Sequence, residues 1–220
     1  DIKLRRWQIL KGKDLLKDQS YFLCLLNQEQ ISKTLFPLGE KTKEEIKQIA
    51  LDNGLGFLKE REESQDFIDS SVYPYIFPAE AFTSGEIVDI NGKVLGYHRG
   101  LVNYTIGQRK HLGISGMDEP YYVVGIDAEH NRLIVGPLMG LYKDNLQARD
   151  INWVSIPGLK ETIKAETKIR LAHNAAPGKV IPLSENRVEV RFDEPQLSIT
   201  PGQFAVFYQG DLLLGGGVIE

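Results

Sequence analysis

The spacing of apolar positions changes twice along the chain and divides it into three stretches. From Asp1 to about Phe82 the pattern is mixed. Leu4-Arg5-Arg6-Trp7-Gln8-Ile9-Leu10 reads as a short strand, and Lys11-Gly12-Lys13-Asp14 as a turn. Two helical patterns follow. Asp18 to Leu26 sets Tyr21, Phe22, Leu25 and Leu26 on one face, and Thr42 to Asn53 sets Ile46, Ile49 and Ala50 on another. Thr42 followed three residues later by Glu45 is a capping box, and Gly54 just past Asn53 is a helix stop. From about Thr83 to Tyr142 strict alternation takes over. Gly85 to Ile90 and Lys93 to His98 flank Asn91-Gly92, the strongest short hairpin signal, and Tyr121 to Ile126 returns as Arg132 to Val135. From about Lys143 to Glu220 the pattern predicts short strands at Ile163–Leu171, Arg187–Phe192, Phe204–Tyr208 and Leu212–Ile219. Pro177-Gly178, Pro195 and Pro201-Gly202 read as the turns between them. Strands punctuated so evenly argue for a small β-barrel or sandwich. The fold expectation is α+β, with domains at 1–82, 83–142 and 143–220 and no internal repeat.

Composition narrows the classes. A 220-residue chain that is 42% hydrophobic and 25% charged can bury a core as an ordinary globular protein. The formal net charge of −4 excludes a uniformly basic nucleic-acid binder but leaves room for a local basic patch. One cysteine, Cys24, excludes a disulfide framework. No apolar run approaches the ~18 residues of a membrane span, and no charged-then-apolar leader is present. The expectation is a cytoplasmic protein with no membrane partner.

Candidate chemistry is sparse. His98, His111, His130 and His173 include no pair at the i, i+4 spacing of a helical zinc site, so no metal site is expected. Cys24 lies within Tyr21-Phe22-Leu23-Cys24-Leu25-Leu26 and reads as an inert core thiol. Gly215-Gly216-Gly217 has no helix after it to supply a phosphate-binding dipole, so it reads as a bulge or tight backbone approach in a final strand. Two segments carry more. Up to position 17, Lys3, Arg5, Arg6, Lys11, Lys13 and Lys17 stand against only Asp1 and Asp14. Such a patch suits a phosphate backbone, and equally a solvated surface run. Gln108-Arg109-Lys110-His111, between Gly107 and Gly113 and close to Tyr104, combines cations for phosphates with groups that bond or stack on bases. A plain charged loop is the alternative.

Several motifs occur in one order along nearly the whole chain. They are Lys17-Asp18-Gln19-Ser20-Tyr21-Phe22-Leu23, Leu35-Phe36-Pro37-Leu38-Gly39, Tyr104 to Lys110 with Leu112-Gly113-Ile114, Tyr121-Tyr122-Val123-Val124, Lys168-Ile169-Arg170, Pro201 to Tyr208 and Leu214 to Gly217. Together they resemble the tRNA-specific 2-thiouridylases, once called tRNA (5-methylaminomethyl-2-thiouridylate)-methyltransferases. No methyl-donor site is visible to justify the older name. The resemblance implies an enzyme that replaces the C2 oxygen of the wobble uridine with sulfur. ATP adenylates that oxygen, and a cysteine persulfide, loaded by a sulfur-relay protein or cysteine desulfurase, displaces AMP. It also implies an N-terminal ATP-pyrophosphatase α/β domain, of which 1–82 would be the helical tail, then a central β-rich module and a C-terminal β-barrel.

By the same resemblance Lys17, Asp18 and Gln19 approach the anticodon stem-loop, and Arg170, Leu171 and Gln203 touch tRNA from the barrel. Gln108, Arg109 and Lys110 are added on charge and exposure. The family's Ser-Gly-Gly-x-Asp-Ser ATP loop is absent, and its persulfide cysteine is absent from Glu63-Ser64-Gln65-Asp66-Phe67-Ile68-Asp69, where it belongs. No catalytic residue is therefore assigned. The ATP site is expected upstream, with an unidentified sulfur donor and a different carrier or an iron–sulfur cluster outside this chain. The alternative is a catalytically silent tRNA-binding module that serves a separate ATP-binding chain.

Overall fold

The computed structural model describes residues 5–56 and 72–220. The chain divides into two compact units: Asp1–Glu62 with Asp144–Pro195 and Thr200–Glu220, and Glu63–Lys143 with Gln196–Ile199.

The first unit is built on β1 (Ile9–Leu10), β6 (Tyr142–Trp153), β7 (Ile163–Lys168), β8 (Ala176–Ser184), β9 (Arg187–Leu197), β10 (Phe204–Gln209) and β11 (Leu212–Ile219), in the order β1-β11-β10-β7-β8-β9-β6. A further pairing of β11 with β6 closes the six C-terminal strands into a barrel, and β1 joins its outside through Ile9 opposite Leu213. Closure removes the exposed edges that an open sheet would leave. Along β9 burial falls on Val188, Val190 and Phe192, the period of two expected of a wall with one inner face. β10 departs from that period, because Ala205, Val206, Phe207 and Tyr208 are all buried. Its outer positions Val206 and Tyr208 are covered by Ile9, Tyr21, Cys24 and Ile31, which form one core cluster with Val154 and Leu213.

That cluster alters the expected organisation. Residues 5–31 pack on the barrel, and their polar groups are tied to it as well. Asn152 Nδ2 donates to the carbonyls of Cys24 (2.8 Å) and Leu26 (3.0 Å), and Gln28 Nε2 donates to that of Val154 (2.9 Å). The expected helix over 18–26 is a single 3-10 turn, Ser20–Leu23, followed by the short α1 (Gln28–Ser32). Its apolar run is spent on the strand beside it and not on a helical stripe. α2 (Lys43–Asp52) forms as expected, with the reciprocal Thr42–Glu45 capping box and Asn53 as its C-terminal cap. No residue of α2 is buried, and Ile49 is 43% exposed, so its caps and not burial define it. The described residues are thus β-rich, and α2 is the longest of their few short helices.

Two barrel strands went unanticipated. β6 buries only Leu146 and Ala148 among its twelve residues, and β8 contains Pro177-Gly178, which reads as a turn. Gly178 is there for clearance: a Cβ on it would lie 2.4 Å from the carbonyl oxygen of Arg191 on β9. Gly215-Gly216-Gly217 lies inside β11 beside register shifts, as expected of a close approach. A Cβ on Gly215 would meet Asn152 O at 2.3 Å, and one on Gly217 would meet Arg149 O at 2.5 Å.

The second unit holds a four-stranded sheet, β3-β2-β5-β4, from β2 (Gly85–Asp89), β3 (Val94–His98), β4 (Tyr121–Asp127) and β5 (Arg132–Pro137). Both expected hairpins are present, and β2 pairs with β5 in parallel. The loop from 99 to 120 folds Leu112 against Ile87, Val123, Leu133 and Val135 to make the core. His98 is buried here. Its Nδ1 accepts from the Gly100 N–H at 3.1 Å, so Nε2 carries the proton and donates to Asn131 O at 3.1 Å. α3 (Tyr73–Ile76) precedes this sheet.

Candidate functional site

The basic run near the N-terminus is partly consumed by the fold. Arg6 donates to the carbonyls of Val154 (3.2 Å) and Trp153 (2.7 Å), and Lys13 pairs with Glu45 at 2.7 Å. Lys11 Nζ donates to Gly210 O at 2.8 Å and lies 4.7 Å from the centroid of the Tyr208 ring. Lys3 is outside the described residues. Lys17 and Gln19 are exposed, flanking the half-buried Asp18.

Asp18 points into the protein. Its Oδ1 accepts from the backbone N–H of Gly12 (3.0 Å) and of Ser20 (3.2 Å), and its Oδ2 accepts from Ser20 Oγ at 2.8 Å. The Ser20 hydroxyl has one proton and gives it to the carboxylate, so the 3.0 Å contact between Ser20 Oγ and Tyr208 Oη has Tyr208 as donor. Burial pushes the Tyr208 phenol well above its ordinary value, which keeps that donor proton in place. One residue on, the Tyr21 hydroxyl accepts from the Phe204 N–H at 3.2 Å and donates to the Phe204 carbonyl at 3.1 Å. Segment 17–21 is therefore fastened to β10 at both ends of the strand.

The other barrel candidates gather at the Phe204 end. Arg170 Nη2 donates to Thr200 Oγ1 at 2.8 Å, and the Gln203 N–H donates to the Thr200 carbonyl at 3.2 Å. Gln203 is exposed, and Leu171 is 40% exposed beside Arg170. Phe204 and Tyr208 are four positions apart, about 13 Å of extended strand. Two surface groups thus lie near β10 without belonging to it: Lys17–Gln19, next to the Ser20 that bonds Tyr208, and Arg170 with Gln203, joined through Thr200 just before Phe204. His173 lies against the second group, its N–H donating to Arg170 O at 3.2 Å. Burial, then the charges of Arg170 and Lys168, lower its pKa, and its Nδ1 is buried with no hydrogen-bond partner among the described residues.

Gln108, Arg109 and Lys110 belong to the second unit. Gln108 is spent on its own loop, with Oε1 accepting from the Thr105 N–H at 3.1 Å and Nε2 donating to Lys110 O at 3.0 Å. Backbone bonds from Gly107 N to Val123 O (2.8 Å) and from Val123 N to Gln108 O (2.9 Å) pin that loop to β4. Arg109 and Lys110 remain exposed, and Arg109 lines an open cavity of about 470 Å³ together with His111, Asp118, Glu119 and Tyr121.

Cys24 is 0% exposed, and burial pushes its thiol up to about 12. A thiol held that way is almost wholly un-ionised at neutral pH, and the thiolate is the nucleophilic form. The stretch Glu63–Asp69 lies outside the described residues. Among the described residues no group of three or more His, Cys, Asp or Glu side chains could hold a metal ion, and no helix is long and apolar enough to cross a membrane. They do not fit an ATP phosphate cradle either. Gly215–Gly217 is filled by neighbouring strands, and the N-terminal turn of α2 is occupied by its own capping box. The residues that motif reading left without a role are Ser20, Tyr21 and Tyr208. They lie inside quoted motifs, but their pairing spans most of the chain.

Comparison with known proteins supplies the family. Three family models match in sequence: tRNA methyl transferase HUP domain over residues 2–69, tRNA methyl transferase PRC-barrel domain over 76–137, and aminomethyltransferase beta-barrel domain over 143–219. The tRNA-specific 2-thiouridylase MnmA of Geotalea uraniireducens (strain Rf4) is 48% identical over 220 residues, covering 98% of this chain and 58% of that protein. Proteins of the same name from Gloeothece citriformis (strain PCC 7424) and Picosynechococcus sp. (strain ATCC 27264 / PCC 7002 / PR-6) are 46% and 45% identical over 219 residues, again 98% of this chain and 62% of each relative. The chain spans roughly three fifths of the length of these curated relatives, and with three family models in register and near-half identity from end to end it belongs to the tRNA-specific 2-thiouridylase family.

Proposed function

We propose that this chain is the tRNA-holding portion of an enzyme that replaces the C2 oxygen of a wobble uridine with sulfur. The observation that carries the reading is the 48% identity over 98% of the chain to a tRNA-specific 2-thiouridylase. The two groups near β10 support it, since exposed Lys17, Gln19, Leu171 and Gln203, with half-buried Arg170, offer charge, hydrogen bonds and an apolar surface within one compact unit. Arg109 and Lys110 are exposed cations of the second unit.

In this reading residues 1–82 form the seam with a catalytic α/β domain, 83–142 a central module and 143–220 the barrel. Activation of the uridine oxygen with ATP, and delivery of sulfur by a relay protein or cysteine desulfurase, fall to parts of such enzymes that these residues do not supply. The burial of Cys24 supports that division of labour. It equally favours a second reading, a silent tRNA-binding module that works with a separate ATP-binding chain.

The test is to incubate the full-length protein containing this chain with tRNA, ATP and a sulfide donor, then measure AMP and, after nuclease digestion, 2-thiouridine by mass spectrometry. The expected result is 2-thiouridine and AMP from the full-length protein, and neither from the 220 residues alone. If the full-length protein forms the product only when a second ATP-binding chain is added, the silent-module reading replaces the first. AMP released by the 220 residues alone would overturn both.

A further inference from the structure

From the hydrogen bonds around Asp18 we infer that Asp18, Ser20 and Tyr208 form a buried positioning relay that sets the Lys17–Gln19 backbone for RNA, with Asp18 acting through that backbone and not by touching RNA itself. The inference rests on the tRNA-holding role proposed above and assigns work within it.

The relay is directional. Tyr208 Oη donates to Ser20 Oγ (3.0 Å), which donates to Asp18 Oδ2 (2.8 Å), while Oδ1 takes the N–H groups of Ser20 (3.2 Å) and Gly12 (3.0 Å). Three hydrogen bonds on one carboxylate leave little capacity for another ligand, and an ionised carboxylate facing a phosphodiester would repel it. Spent internally, the same charge gathers three donors and fixes the backbone on both sides of Lys17 and Gln19. Tyr208 is 0% exposed and Ser20 3% exposed, so no RNA atom can reach either. Among the described residues their side-chain hydroxyls bond each other and Asp18. A phenylalanine would fill the Tyr208 site as well, and among the described residues the hydroxyl bonds the serine that donates to Asp18. Tyr208 is therefore a positioning residue, 188 positions from the serine it orients.

The test uses the full-length protein and purified tRNA in equilibrium filter binding, with circular dichroism and thermal unfolding to confirm that each variant is folded at the assay temperature. Tyr208→Phe removes the first donor and keeps the packing. Asp18→Asn weakens the far end of the relay and leaves the core tyrosine in place. Each is expected to weaken tRNA binding by about fivefold, the effect of one internal hydrogen bond. In a Lys17→Ala/Gln19→Ala background, where the positioned contacts are gone, each is expected to change affinity by less than about twofold. A structural role alone would lower the melting temperature without this dependence on background.

Wild-type affinity for Tyr208→Phe and Asp18→Asn, while the loop double variant binds weakly, overturns the relay and leaves the tRNA-holding reading intact. An equal loss in both backgrounds overturns the relay too, because the residues would then act elsewhere than through the loop. Wild-type affinity for the loop double variant removes the loop contact itself, and the relay with it.

Discussion

Cys24 is the chain's one cysteine, so the reading that sulfur is carried elsewhere can be tested on a single atom. Its thiol is 0% exposed among Tyr21, Val206 and Tyr208, and burial raises its pKa from 9.0 to about 12. At pH 8 a thiol titrating at 9.0 is about one tenth thiolate, whereas one titrating near 12 is about a thousandfold less ionised. Alkylation by iodoacetamide, mapped to Cys24 by peptide mass spectrometry, should thus be slower by about three orders of magnitude in the folded protein than in denaturant. Cys24→Ser puts a hydroxyl into an apolar site, which costs about 1–3 kcal/mol of stability. The full-length variant should unfold at lower temperature and, while folded, still make 2-thiouridine. A Cys24→Ser enzyme with normal circular dichroism that makes none would refute the reasoning and make Cys24 the carrier. Alkylation as fast in the folded as in the unfolded protein would refute the burial argument directly.

Three further outcomes follow from the packing. The lowered pKa of His173 means that, below its ordinary value of 6.5, the unfolded chain takes up a proton that the folded site resists. Stability should therefore fall as pH drops from 6.5 through the lowered native value, and His173→Gln should flatten that part of a denaturant-midpoint profile measured between pH 5 and 7. Gly217→Ala would bring a Cβ to 2.4 Å from Ile151 Cδ1 and 2.5 Å from Arg149 O, so thermal unfolding should show a loss of about 1–3 kcal/mol. Thr42→Ala removes half of the α2 capping box, worth about 1 kcal/mol. Because α2 buries no residue, the loss should appear as faster amide hydrogen exchange in its first turn, with little change in the global melting temperature.

Signals that act over a few residues were legible in the sequence. The Thr42–Glu45 box defines α2, and Asn91-Gly92 closes the β2–β3 hairpin, because both arise from contacts within one turn of chain. Strands whose burial depends on distant partners were harder to see. β6 shows only Leu146 and Ala148 as buried apolar positions, and β8 hides behind Pro177-Gly178, whose glycine answers to Arg191 on the neighbouring strand. The docking of residues 5–31 on the barrel was not legible for the same reason: Tyr21 and Cys24 meet Val206 and Tyr208 only after the chain has closed. At the candidate site, motif resemblance singled out Lys17, Arg170 and Gln203 but put the first in a different domain from the other two, whereas all three belong to one compact unit. It could not tell that Asp18, between two exposed neighbours, turns inward to Ser20, whose own hydroxyl is set by Tyr208 at the far end of the sequence.

The central claim, that this chain grips tRNA through the surface beside β10, is tested most directly by the salt dependence of tRNA affinity in the full-length protein and its variants. Lys17→Ala and Arg170→Ala should each weaken binding and reduce the magnitude of the slope of log K against log salt by about one unit. Gln203→Ala should weaken binding at an unchanged slope, and Lys179→Ala, on the exposed side of β8, should change neither. Wild-type affinity and slope for both Lys17→Ala and Arg170→Ala would contradict the account, because the cations assigned to the phosphate backbone would then not be touching it.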